Sequence, residues 1–161
     1  MSSFTTPLRA EALPDGRNWR MIKTFMYHIG SRHSRHVIRV PKDFVTDFAS
    51  TDILQIVACI LILLDIVVLR MIPSWITILI LIIALIAIII TPYGKHSKAA
   101  VIHDYLYQTR LTSKLMADLI FYEAMIVAGT QKWKAALMYV AVLLFGWPAY
   151  WRGRIKDKRS L

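Results

Sequence analysis

Apolar and polar positions are unevenly spread along this chain. From Ile53 to Ile90 the sequence is almost continuously apolar: ILQIVACILILLDIVVL over 53–69, then MIPSWITILILIIALIAIII over 71–90. These runs read as two helices, although their abundant β-branched residues leave a strand open locally. Thr51 and Asp52 are placed to cap the first helix, Pro73 suits the first turn of the second, and Thr91-Pro92-Tyr93-Gly94 ends it. At ~1.5 Å per residue the two runs reach ~26 Å and ~30 Å, against a hydrocarbon core of ~30 Å. The expectation is an antiparallel transmembrane helical hairpin over 53–91, turning at Arg70.

The flanking segments are patterned like a soluble domain. Residues 1–18 read as irregular, with Pro7, Pro14 and Gly16. Residues 20–28 and 36–40 have strand-like content, and Gly30-Ser31 between them favours a β-hairpin. A loop follows over 40–51. Beyond the apolar block, 97–110 and 113–129 read as two helices joined by Leu111-Thr112, the second capped by Ser113 or Thr112 and ended by Gly129. So short a turn makes them antiparallel. A last apolar stretch, 135–150, reads as an amphipathic helix, packed on the domain or lying in a membrane interface, with Trp147, Tyr150 and Trp151 as interface anchors. The fold class expected is mainly α with a small N-terminal β-hairpin. Segment 1–52 and segment 92–161 form one domain, into which 53–91 is inserted.

Composition sharpens this division. Of 161 residues 57% are hydrophobic, and mean hydropathy is +0.49. Disorder is excluded by that apolar content, and an intrachain disulfide by the single cysteine, Cys59. Residues 53–94 hold only two charges, Asp65 and Arg70. The net charge is +10, and 19 of the 20 Lys and Arg residues lie outside the hairpin. That asymmetry predicts an inner-membrane protein with its basic domain cytoplasmic, facing anionic headgroups. It also accounts for the charge without nucleic acid, for which no basic recognition motif is present. The polar start of the chain, with Pro7, Arg9 and Glu11, predicts no signal peptide. His28, His33 and His36 read as a solvated basic loop rather than a zinc site. Asp65 is expected to pair with Arg70, and Cys59 to be inert in its apolar run.

The chemistry lies on the helix pair. With the turn between 110 and 111, facing positions sum to 221, so His103 stands opposite Asp118. Tyr107, four residues on, shares the face of His103. A neutral histidine oriented by a carboxylate can take a proton from water. Asp104 can hold a hard cation such as calcium together with loop oxygens. The plain alternative is a structural histidine paired with a helix carboxylate.

The HDYLY segment at 103–107 resembles the His-Asp-x-x-Tyr helix of phospholipase A2. The resemblance implies His103 as general base, Asp118 as the carboxylate that orients it, Tyr107 as a donor to Asp118, and Asp104 as a calcium ligand. ADLIFYEAM at 117–125 resembles the matching helix of small bacterial and fungal members, and Asp47 falls where their calcium loop supplies a ligand. The glycines of that loop are absent around 47–50. Four segments, 40–50, 93–107, 117–125 and 133–146, also resemble in the same order a family of small uncharacterised phage and prophage proteins. Two functions follow as expectations. One is a phage-derived membrane protein with a phospholipase A2-like, calcium-dependent ester hydrolase acting on membrane phospholipid. The other is a non-catalytic virion or host-membrane component, forming homo-oligomers through Gln55, Asp65, Ala58 and Ala84 or binding other phage proteins.

Overall fold

The computed structural model describes residues 1–16, 18–32, 34–47 and 96–158, together with Trp75, Ile78, Leu79 and Ile82. Among the described residues the elements are β1 (Ser3–Phe4), β2 (Ala10–Ala12), β3 (Trp19–Met21), β4 (Phe25–His28), β5 (Val37–Val40), β6 (Val45–Thr46), α1 (Ser97–Thr109), α2 (Lys114–Val127), α3 (Lys132–Phe145) and α4 (Trp147–Lys158).

The strands form two antiparallel three-stranded sheets, ordered β1-β4-β5 and β2-β3-β6. In the first, Phe25 pairs with Val40 and Tyr27 with Ile38. These four side chains are buried while Met26, His28, Val37 and Arg39 are not, which is the period-two signature of a sheet with one face on a core. Phe4 on β1 closes over the same face, 5.4 Å from the Phe25 ring and 4.8 Å from Tyr27.

The helices carry clear end signals. Arg110 ends α1 in the left-handed region, φ 54°. Ser113 caps α2, its side chain accepting from the Met116 amide. Past α2, the Thr130 amide bonds the Met125 carbonyl and the Gly129 amide bonds that of Ile126. This is the paired closure of a Schellman motif, and it places Gly129 at φ 85°, where a glycine is needed. Between α3 and α4, helical bonds continue from Gly146 to Val142 and from Tyr150 to Gly146. Pro148, in the first turn of α4, has no amide proton to give to the Leu144 carbonyl, so the ladder loses a bond and the two helices part at Gly146. The core lies between the first sheet and α1–α2, where Phe25, Tyr27, Val40, Ile102, Phe121 and Met125 are all buried.

Two expectations are corrected. The chain is mixed α/β with two small sheets, not mainly α with one hairpin: segment 20–28 divides into β3 and β4 in different sheets, and the supposedly irregular N-terminus and the 40–51 loop supply β1, β2 and β6. Strands of two or three residues are too short to show alternation. No helix among the described residues is long and apolar enough to cross a membrane. The 14 residues of α3 rise only ~21 Å, short of the ~30 Å core. The hairpin expected over 53–91 lies outside the described residues except for Trp75, Ile78, Leu79 and Ile82, which are exposed.

Candidate functional site

The turn at 110–113 folds α2 back along α1 and brings His103 onto Asp118. Their contact is 3.0 Å, from Nε2 to Oδ1. The Tyr107 hydroxyl donates to the same Oδ1 at 2.6 Å. Lys114, one turn before Asp118 on α2, donates to Oδ2 at 2.6 Å. The same ammonium donates to the carbonyls of Val142 at 2.9 Å and Leu143 at 3.0 Å, near the end of α3. It also stands 5.2 Å from the centre of the Trp147 ring. One carboxylate thus gathers three donors from two helices, and Lys114 ties it to a third.

The surroundings are tightly built. The His103 ring packs 3.9 Å from Tyr107 and 4.6 Å from Phe121, centre to centre. Tyr150 of α4 meets the edge of Tyr107 at 5.2 Å. Gly146 passes so close that a Cβ there would stand 2.6 Å from the Tyr107 hydroxyl. The cluster is out of water: His103 is 2% exposed and Asp118 0%.

Burial and partners set the charge states. Burial holds the His103 imidazole below its ordinary value and outweighs the opposing pull of Asp118, with Lys114 adding to the lowering. Burial alone would raise Asp118, but hydrogen bonds from His103, Lys114 and Tyr107 bring it below the usual carboxylate range. Tyr107 is raised, by burial first and then by its bond to Asp118. The resting state is therefore a neutral imidazole, a carboxylate and a protonated phenol. A carboxylate only accepts, so His103 carries its proton on Nε2 and its lone pair on Nδ1. A histidine fixed in that tautomer by a carboxylate is arranged as a general base.

Asp104 points a different way. Its Oδ2 accepts from the Thr46 hydroxyl at the end of β6, and Gln108 reaches the Val45 carbonyl at 3.4 Å. These bonds bring the β6 end to α1 and place exposed Asp47 next along the chain from Thr46. The donors are hard oxygens, suited to calcium rather than to a soft metal. Among the described residues no group of three or more His, Cys, Asp or Glu side chains could hold a metal ion. Lys114, Thr46 and Gly146 were not singled out from the sequence. The Lys114–Asp118 spacing of one helical turn was a usable signal for the first; the other two depend on tertiary approach.

A domain described as a protein of unknown function, DUF1353, is found at residues 72–142. That span contains both His103 and Asp118 and ends at Val142, whose carbonyl Lys114 holds. No curated protein and no solved structure matches the chain.

Proposed function

We propose that this protein is an ester hydrolase in which His103 is the general base and Asp118 orients it. The observation that carries the reading is the single Asp118 oxygen shared by His103 Nε2 and the Tyr107 hydroxyl. It leaves the imidazole lone pair on the opposite nitrogen. His103 Nδ1 takes a proton from water, and the water oxygen bonds to the ester carbonyl carbon. The tetrahedral intermediate then expels the alcohol, which leaves with the proton returned by the imidazolium. Lys114 keeps Asp118 ionised through this cycle, so the carboxylate can stabilise the positive ring. A calcium ion, where bound, would be held by Asp104 and Asp47 and would polarise the carbonyl.

The substrate class we infer is a phospholipid ester, from the likeness of segments 103–107 and 117–125 to phospholipase A2. The setting we infer is a phage-encoded protein acting in a bacterial host or within a virion, from the likeness to phage and prophage proteins. The test is fatty-acid release from phospholipid vesicles by purified protein, with calcium and with a chelator. Release that is lost in His103→Gln supports the assignment. Release absent in both removes it.

A second reading has its own observation. His103 and Asp118 are almost wholly shielded, and both Asp118 oxygens are bonded. A polar network of this kind can serve only to specify helix packing in a non-catalytic phage structural component. His103→Gln would then lower stability in a protein with no hydrolysis to lose.

A further inference from the structure

The inner and outer faces of α3 are inverted in size. Toward the domain it buries small or slender residues: Ala135, Met138, Ala141 and Val142. Outward it presents Trp133, Leu137, Val140 and Leu144, spaced four, three and four residues apart on one stripe. Trp133 is 54% exposed and Leu144 61%. Trp147, three residues beyond Leu144 across the Gly146 junction, is also exposed. A helix facing water alone would carry its large apolar residues on the other side.

The charges around the stripe identify what covers it. Lys132 and Lys134 flank Trp133, one helical position to either side. Arg152 follows the other end, and from Glu123 to Asp157 the sequence has no acidic residue. A second copy would bring the same basic, acid-free segment against itself, which like charge opposes. An apolar stripe with tryptophans at its two ends and cations around it matches an anionic lipid surface. Tryptophan favours the headgroup level, and lysine stems lie along the apolar side while the ammonium reaches the phosphates.

We propose that the outer face of α3, continued by Trp147, docks on an anionic lipid surface, lying in its plane without crossing it. This does not depend on the chemistry at His103. Should His103 act on phospholipid esters, the contacts from Lys114 to the Val142 and Leu143 carbonyls join the docked helix directly to the site.

The test is sedimentation of the full chain with phosphatidylglycerol or phosphatidylcholine vesicles, read beside the doubly substituted Leu137→Glu/Leu144→Glu chain. Both substitutions point away from the core, and an unchanged unfolding transition confirms the fold. The expected result is preferential, salt-sensitive binding to phosphatidylglycerol that the substitutions weaken about a hundred-fold. Equal binding by the substituted chain, or equal binding to both vesicle types, overturns the proposal. So does conversion of a dimer into a monomer by the same substitutions, which would assign the face to a second copy.

Discussion

Lys114 and Asp118 lie one helical turn apart on α2 and form a buried ion pair, Nζ to Oδ2 at 2.6 Å, with the lysine side chain 2% exposed and the aspartate 0%. Lys114 is also the link between α2 and the end of α3, through two carbonyls. Removing one member of such a pair strands the other charge. Lys114→Met should therefore cost about 3–5 kcal/mol in denaturant unfolding. Lys114→Arg should not restore full stability, because a planar guanidinium cannot meet three acceptors placed around a point charge. Stability unchanged in Lys114→Met would show that the pair contributes nothing.

The pH dependence follows from the same cluster. His103 is held below its ordinary value of 6.5 when folded. Between the folded and unfolded values the unfolded chain binds more protons, so stability rises with pH there. The contribution is complete above about 6.5 and declines as pH falls through that window. Asp118, lowered from 3.8, adds stability that is present above its unfolded value and lost as pH falls through its folded one. Both groups make the fold acid-sensitive. Urea unfolding at pH 7.5 and 5.5 should show the loss, and His103→Gln should reduce the difference.

The Gly146–Tyr107 approach can be tested by a cycle. Gly146→Ala sets a methyl group against both the Val142 carbonyl oxygen and the Tyr107 hydroxyl and should cost about 1–3 kcal/mol. Tyr107→Phe loses the bond to Asp118 at about 1 kcal/mol. Because the phenylalanine removes one of the two obstacles and leaves the Val142 carbonyl, the double variant should recover part of the Gly146→Ala loss and be more stable than the sum of the two losses implies. Strict additivity in thermal or denaturant unfolding would show that the two sites do not meet.

The His103–Asp118 juxtaposition was legible because both helices have local boundary signals and the turn between them is very short. Counting back from Arg110 and forward from Leu111 sets facing residues without any tertiary knowledge. β1 and β2 were not legible, because two or three residues cannot display alternation and their pairing is with β4 and β3 across the chain. Lys114 escaped notice for another reason. A lysine on a helix is ordinarily solvated, and only the end of α3 arriving over it turns it inward. The long apolar block drew the sequence reading toward an α fold organised by a membrane hairpin, whereas the described architecture is organised by two small sheets on a helix pair.

The most direct measurement of the central assignment is kcat/KM for fatty-acid release from phospholipid vesicles, compared between the wild-type chain and folded His103→Gln and Asp118→Asn variants. If His103 is the general base oriented by Asp118, wild type releases fatty acid and His103→Gln loses about a thousand-fold. Asp118→Asn should fall as well, because an amide can no longer fix the tautomer by accepting alone. Release that is absent from wild type, or equal in wild type and folded His103→Gln, would contradict the account.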